Sequence, residues 1–497
     1  MKAVINTERV LGQRDPMLYG HFIEHFHRQI YGGVYDPGNP LSGADGLRED
    51  VLAAMRKIRV PILRWPGGCF VSSYHWKQGV GKRRTPFFDK AWRVEDPNSF
   101  GTDEYVKLCR KIGCEPYICT NAGTGTAEEM SDWVEYCNLE SEGEFAKWRV
   151  ENGFPEPHRV RYWSIGNENY GGWEIGAKSA GEWARLVLES AKMMVHVDPT
   201  IELTAAALPD LDWNLSLLRA CGDRLGWISI HKYWDPIHQT NDCAPYGQVM
   251  AYTADLETDL SRVRGLLTAL GLEKTIRVAY DEWNLRGWYH PNVHTLRQGV
   301  TKDEYLTPRD KNDDNSLYTM ADAVFTACFL NTLNRNCDLV GMACFAPIVN
   351  TRGCIFTHRD GIVLRGTYHV FDLYVNYLGA QVLDLWSPDE NALEAVDREG
   401  KPVSVCELDV LATRRDDGHF AVAAVNKNAE EARTLTLSFD GFVPREARIV
   451  RVSAPGKDSY NDIGRGEILL TKGDWQAAPE GCSFELLPHS VNVIELR

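Results

Sequence analysis

The sequence predicts an α/β fold, a TIM (β/α)8 barrel followed by a C-terminal all-β sandwich of jelly-roll type, on three observations. Between about residues 17 and 380, eight short apolar runs alternate with longer helical stripes, the order of repeated βα units round a parallel sheet. From about residue 381 the texture changes to short alternating segments separated by Gly, Pro, Asp and Asn, which suits an antiparallel β domain. Polar residues end several of the apolar runs, and the carboxyl ends of the strands are where a barrel carries its chemistry.

The proposed strands begin near Leu18-Tyr19-Gly20-His21-Phe22, Ile62-Leu63-Arg64-Trp65, Pro116-Tyr117-Ile118-Cys119, Tyr162-Trp163-Ser164-Ile165, Leu203-Thr204-Ala205-Ala206, Trp227-Ile228-Ser229-Ile230, Ile276-Arg277-Val278-Ala279 and Leu339-Val340-Gly341-Met342. They are short, continuous and rich in β-branched or aromatic side chains, as strands covered on both faces are. The helices between them carry their own punctuation. In residues 45–58, Leu47, Val51, Leu52, Met55 and Ile58 form one apolar stripe behind Asp45 as N-cap. Residues 102–113 read as a helix opened by a capping Thr and ended by Gly, residues 180–197 as one closed by Asp198-Pro199, and residues 315–334 as another.

Two connections, residues 74–100 and 285–314, are long for a compact domain, which marks them as functional or disordered. The second follows an acidic strand end and carries Trp288, Tyr289, His290 and His294, groups suited to lining a sugar site or to simple loop packing. Beyond the barrel, Phe420-Ala421-Val422-Ala423-Ala424-Val425-Asn426, Thr434-Leu435-Thr436-Leu437-Ser438-Phe439 and the closing Ser490-Val491-Asn492-Val493-Ile494-Glu495-Leu496 read as strands of the second domain, residues 381–497.

Composition excludes several classes of function. The chain has 497 residues, 44% of them hydrophobic and 25% charged, enough for two well-packed globular domains. Acidic residues outnumber basic ones 69 to 54, a net charge of −15, so neither nucleic acid nor an anionic membrane is an expected partner. The N-terminal segment lacks an apolar core of signal-peptide length and no stretch is long and apolar enough to span a bilayer; a cytoplasmic protein is expected. Thirteen cysteines with no C-x-x-C pair read as reduced core thiols, with no zinc-ligand spacing and no disulfide framework. No metal and no cofactor is expected.

At the strand ends stand Glu24 after the first, Arg64 in the second, Asn121 after the third, Asn167 and Glu168 after the fourth, His231 and Tyr233 at the sixth, Asp281 and Glu282 at the seventh, and Asn350 beyond the eighth. Singly, an acidic residue at such a place is a turn residue or a helix cap. Together they describe a site. Glu168 and Glu282 end strands four and seven, on opposite parts of the rim, and a cleft that brings two carboxyls within ~5–5.5 Å performs double displacement at a sugar carbon.

Several segments then resemble the signatures of the family 51 glycoside hydrolases, the α-L-arabinofuranosidases. They are Trp163-Ser164-Ile165-Gly166-Asn167-Glu168, Tyr280-Asp281-Glu282-Trp283-Asn284, Tyr19-Gly20-His21-Phe22-Ile23-Glu24-His25 and Arg64-Trp65-Pro66-Gly67-Gly68, with Tyr74-His75-Trp76, Trp92, Asn98-Ser99-Phe100-Gly101-Thr102-Asp103-Glu104 and Asn121-Ala122-Gly123-Thr124-Gly125-Thr126. The resemblance runs from end to end and implies that residues 1–16 add a strand to the β domain.

It also implies the roles. Glu168 is similar to the family's general acid/base and Glu282 to its nucleophile in a retaining, exo-acting cycle on arabino- or arabinoxylo-oligosaccharides. Such a cycle is served by a Glu168 pKa raised by the second carboxylate. Asn167 is similar to the residue that binds a ring hydroxyl, Tyr233 with His231 to the pair that holds the nucleophile, Glu24 to a sugar-binding carboxylate, Arg64 to an arginine near the nucleophile, and Trp92 to a leaving-group platform. A homo-oligomer, often a hexamer, is the family's assembly. Two positions depart from its common pattern, Cys69 where many members carry Asn and Pro347 where many carry Gln. Both fall near the sugar, and neither offers an amide, which leaves a xyloside or another furanoside as the alternative glycone.

Two readings of other kinds compete. His21-Phe22-Ile23-Glu24-His25 fits the H-x-x-E-H zinc-peptidase pattern, although zinc capture needs that pattern on a helix and here it continues a strand. A non-catalytic carbohydrate-binding protein on a hydrolase scaffold is the other, since fold alone does not establish activity.

Overall fold

The computed structural model describes residues 1–235, 243–287, 312–388, 392–397 and 399–497. Eight parallel strands close into a barrel in chain order: Gly20–Phe22, Ile62–Trp65, Glu115–Thr120, Tyr162–Ile165, Glu202–Ala206, Trp227–Asp235, Arg277–Arg286 and Val340–Phe345. All eight coincide with the apolar runs of the sequence. Their side chains alternate as the pleat requires. Ile62, Tyr117, Ala279 and Met342 belong to the cluster inside the barrel, whereas Leu63, Trp65, Ile118 and Tyr280 join the larger core beneath the helices.

The covering helices include Glu49–Lys57, Thr102–Ile112, Ala127–Asn138, Ala180–Val197, Leu211–Cys221, Asp255–Leu270, Met320–Arg335 and Gly366–Tyr377. Ala180–Val197 ends at Asp198 as the sequence predicts. Two caps differ. Arg48, not Asp45, occupies the N-cap of Glu49–Lys57, and Asp45 instead pairs with Lys107 and Lys111 at 3.1 and 2.9 Å. Gly101 is the N-cap of Thr102–Ile112, with the Glu104 side chain accepting its N–H at 2.8 Å; Thr102 accepts from the Trp133 indole at 3.0 Å. The predicted terminator Gly113 holds, at φ 87, a left-handed cap that glycine adopts without a Cβ clash.

The connection 74–100 is not structureless: it contains the turn Trp76–Gly79 and a hairpin of Phe87–Asp89 with Val94–Asp96. In the connection 285–314, Trp288, Tyr289, His290 and His294 lie outside the described residues.

Nine of the C-terminal strands join the N-terminal strand Lys2–Gln13 in one ten-stranded sheet, where it runs antiparallel to Gln381–Trp386 and parallel to Arg433–Asp440; Ala392–Val396 and Pro402–Cys406 form a separate hairpin. The sheet curls, so that Asn426 in the strand Phe420–Asn426 reaches the Leu486 carbonyl on the edge strand Ser483–Leu486 at 3.2 Å. Phe420, Val422 and Ala424 face the core inside the curl together with Ala3, Ile5, Leu435 and Leu486. Their neighbours Ala421, Ala423 and Val425 pack into the barrel's own core, so period-two alternation ties the two architectures together.

Candidate active site

The site forms at the carboxyl ends of the barrel strands, and two local irregularities aim its carboxylates. The seventh strand slips register against both neighbours, between Ala279 and Glu282 on one side and between Tyr280 and Trp283 on the other. A regular strand sends consecutive side chains to opposite faces, and a bulge relaxes that rule. Asp281 and Glu282 therefore both reach the Arg64 guanidinium. At the fourth strand the chain turns through left-handed conformations at Gly166 (φ 70) and Glu168 (φ 47), which brings Asn167 and Glu168 together to the mouth.

Glu168 and Glu282 meet there: with His231 they present donor or acceptor atoms all within 4.8 Å of one another. The Glu282 Oε1 accepts from the Tyr233 hydroxyl at 2.6 Å and its Oε2 from Arg64 at 2.8 Å. The Glu168 Oε2 accepts from the Trp173 indole at 3.0 Å, and its Oε1 lies 3.0 Å from His231 Nδ1. Arg64 also donates to Asn167 Oδ1 at 2.8 Å. Beneath them Asp281 accepts from Tyr117 at 2.7 Å and from Ser229 at 2.6 Å.

The electrostatics follow from this packing. Burial disfavours a charged His231, but Glu282, Asp281 and Glu168 outweigh it and push its pKa up to about 10. Burial likewise acts to raise Asp281, and the charges of Arg64 and His231 pull it down to about 2. The expected rise of Glu168 is reversed. Burial does act in that direction, yet the hydrogen bond and charge of His231, with Trp173 and Arg64, hold its carboxyl below the ordinary value. The neighbouring carboxylate is answered by a cation in contact with both, so the proton of this pair resides on the imidazole.

Glu24 is buried, accepts from the Phe70 backbone at 3.1 Å and the Trp92 indole at 3.0 Å, and is pushed up to about 8 by burial and then by the charge of Glu282. Gly67 and Gly68 make this approach possible: a Cβ on Gly67, at φ 155, falls 2.4 Å from Glu24 Cγ, and one on Gly68 falls 3.3 Å from Glu282 Oε2. Trp92 is only 5% exposed, packs on Phe26 and holds Glu24, so its ring is not the open platform expected of it. Cys69 does stand at the site, its Sγ within 4.8 Å of oxygens of Glu168 and Glu174. Pro347 is buried next to Ala346, whose carbonyl accepts from Arg352 at 3.0 Å and Asn284 at 3.1 Å.

The zinc-peptidase reading fails on geometry. His21 lies within a strand with its ring on Phe371, while both nitrogens of His25 are engaged, by Asp96 at 3.0 Å and Trp65 at 3.2 Å. Two strand-end residues also serve structure: Asn121 donates to the Tyr74 carbonyl at 3.0 Å, and Asn350 to the Arg28 carbonyl at 2.7 Å.

Several site residues escape a reading of strand ends. Trp173 is 64% exposed beside Glu168; an aromatic set behind Gly171-Gly172 in the turn after an acidic strand end was the available signal. Arg352 donates to the Tyr233 hydroxyl at 3.1 Å, and Glu174 is buried near Asn167. No local pattern marks either one.

Chemically, one carboxylate is held by two donors with its lone pairs fixed, and the other is paired with a proton-carrying imidazole beside an exposed indole. Such an arrangement is chemically suited to set a nucleophile opposite a proton donor.

Comparison with known proteins points the same way. Residues 54–250 match the model of the α-L-arabinofuranosidase 1 domain, and residues 281–490 that of the α-L-arabinofuranosidase C-terminal domain. The chain is 32% identical to a probable α-L-arabinofuranosidase C of Aspergillus niger, covering 99% of this chain and 96% of the relative. It is 31% identical to the intracellular exo-α-(1→5)-L-arabinofuranosidase of Halalkalibacterium halodurans, over 95% of each. Among solved structures, the arabinose complex of the α-L-arabinofuranosidase from Thermotoga maritima superposes with a TM-score of 0.87 at 34% identity, over 99% of both chains.

Proposed function

Since this chain belongs to the α-L-arabinofuranosidases of glycoside hydrolase family 51, we propose that Glu282 and Glu168 carry its hydrolysis of terminal arabinofuranosides, by double displacement. The observation that carries this reading is the approach of the two carboxylates to within 4.8 Å, with Glu282 gripped by Tyr233 and Arg64.

Glu282 attacks the anomeric carbon while the leaving oxygen takes a proton from the Glu168–His231 pair, and an arabinosyl ester forms on Glu282 through an oxocarbenium-like transition state. Esterification removes the Glu282 charge. Water is then deprotonated by Glu168, attacks the same carbon and frees the sugar with its configuration retained. Asn167, clamped by Arg64, is placed to bind a hydroxyl of the ring, and Glu24 another. Trp173, exposed beside the acid, is the aromatic surface over which the departing group leaves.

The substrate is a short arabino- or arabinoxylo-oligosaccharide cut from its non-reducing end, inside the cell, by a homo-oligomeric enzyme. The printed name of the Halalkalibacterium relative, intracellular and exo-acting, supports the first part, and light scattering tests the assembly.

Proton NMR during hydrolysis of an aryl α-L-arabinofuranoside tests the mechanism. The first sugar formed is the α-anomer, and Glu282→Ala lowers turnover by about 10⁴-fold or more. A β-anomer appearing first overturns the assignment of roles.

A further inference from the structure

Glu174 lies in the turn that follows Glu168 and is 4% exposed, a carboxyl withdrawn from water. Its Oε2 accepts from Asn167 Nδ2 at 3.4 Å, while the oxygen of the same amide accepts from Arg64 at 2.8 Å. The Asn167 side chain is thus held at both ends, its oxygen by a cation and its nitrogen by Glu174. This fixes which way the amide faces. On its other flank Glu174 meets Cys69 and Glu168, with Sγ and carboxylate oxygens all within 4.8 Å of one another.

Two carboxylates this close in a dry site do not both ionise without a cation between them. Glu168 has one, the His231 imidazolium at 3.0 Å. The groups that face Glu174 are Glu168, Tyr170, Cys69, Ser72 and Asn167, with Glu282 beyond, and none of these is a cation. The proton that relieves the pair therefore belongs on Glu174.

We infer that Glu174 is a positioning residue of the hydrolytic site: in its neutral form it orients the Asn167 amide toward the sugar and spares Glu168 a second negative neighbour. This rests on the roles given above to Glu168 and Glu282. Burial, with the charges of Glu168 and Glu282, pushes the Glu174 carboxyl up to about 7. Above that pH Glu174 ionises and sets a second negative charge beside Glu168 and Asn167, which changes the proton balance of the Glu168–His231 pair.

The test is the pH profile of kcat and kcat/KM on an aryl α-L-arabinofuranoside for wild type, Glu174→Gln, Glu174→Ala and Asn167→Ala. At about pH 5.5, where Glu174 is neutral, Gln reproduces it and kcat/KM stays within about threefold of wild type, while Ala releases Asn167 and loses about tenfold or more. The wild-type profile carries an ionisation near 7 that is absent from Glu174→Gln and moves upward in Asn167→Ala, which lacks the Nδ2 donor to the ionised form. Equal activity of Gln and Ala at low pH overturns the orienting role. An ionisation unmoved in both Glu174→Gln and Asn167→Ala overturns the proton assignment, and Asn167→Ala decides this even where a Glu174 variant fails to fold. If wild type does not turn over, the reaction reading itself fails; if it does and these profiles coincide, only the role of Glu174 fails.

Discussion

The Tyr233 hydroxyl donates to Glu282 Oε1 at 2.6 Å and accepts from Arg352 at 3.1 Å, so one oxygen couples the Glu282 carboxylate to a buried arginine. The bond orients Glu282 and withdraws charge from it. Tyr233→Phe keeps the ring that Arg352 covers at 4.8 Å and deletes only this link. The expected result is a fall in kcat/KM of roughly 10–100-fold with little change in melting temperature; steady-state kinetics beside thermal unfolding check it.

His231 carries a proton throughout the neutral range. Its folded pKa of about 10 exceeds the ordinary 6.5, so the charge contributes stability in full below about 6.5 and loses it as pH rises through about 10. Nitrogen-15 NMR of the histidine side chains is expected to show an imidazolium still present at pH 8. His231→Gln flattens the alkaline fall in melting temperature and costs most of the activity. A neutral imidazole at pH 7 contradicts the proton-sharing pair.

Cys69 puts a thiol beside Glu168. Burial, then Glu174, Glu168 and Glu24, push that thiol well above its usual range, so it stays a neutral and weak hydrogen-bond group. Cys69→Asn supplies two N–H donors to the same space. Its ratio of kcat/KM for an aryl α-L-arabinofuranoside over the matching xyloside is expected to rise by at least about threefold. An unchanged ratio removes Cys69 from the choice of glycone.

Arg286 ends the seventh strand and binds Asp322 through both Nε, at 2.8 Å, and Nη2, at 2.9 Å, and also contacts Asp235 at the end of the sixth. Asp322 in turn accepts from the Thr319 N–H at the start of the helix Met320–Arg335. Arg286→Ala leaves two buried carboxylates without their cation and is expected to destabilise the protein by about 3–5 kcal/mol, read as a shifted urea midpoint. The double change of Arg286→Ala with Asp322→Ala recovers part of that loss.

All eight barrel strands were legible because parallel strands covered on both faces must be continuous apolar runs, and such runs survive in the sequence as written. Helix stripes and stops were legible for the same reason. Caps were less so: Asp45 has the right chemistry at nearly the right place, but two lysines of the next helix claim its carboxylate. The curl of the C-terminal sheet was hidden, since alternation states that a strand has two faces without saying what covers each.

At the site, sequence alone determined which polar groups end the strands, and therefore that Glu168 and Glu282 share a rim. Period-two geometry, however, allows a regular strand to send only one of Asp281 and Glu282 inward, and local sequence does not announce a bulge. Only the tertiary structure decided that both reach Arg64, that Arg352 comes from a distant turn to hold Tyr233 while Glu174 folds back on Asn167, and that His231 takes the proton first expected on Glu168. The physical reason is common to all three. Where a charge rests in a buried cluster depends on every neighbour within a few ångströms, and those neighbours are brought there by the closure of the barrel.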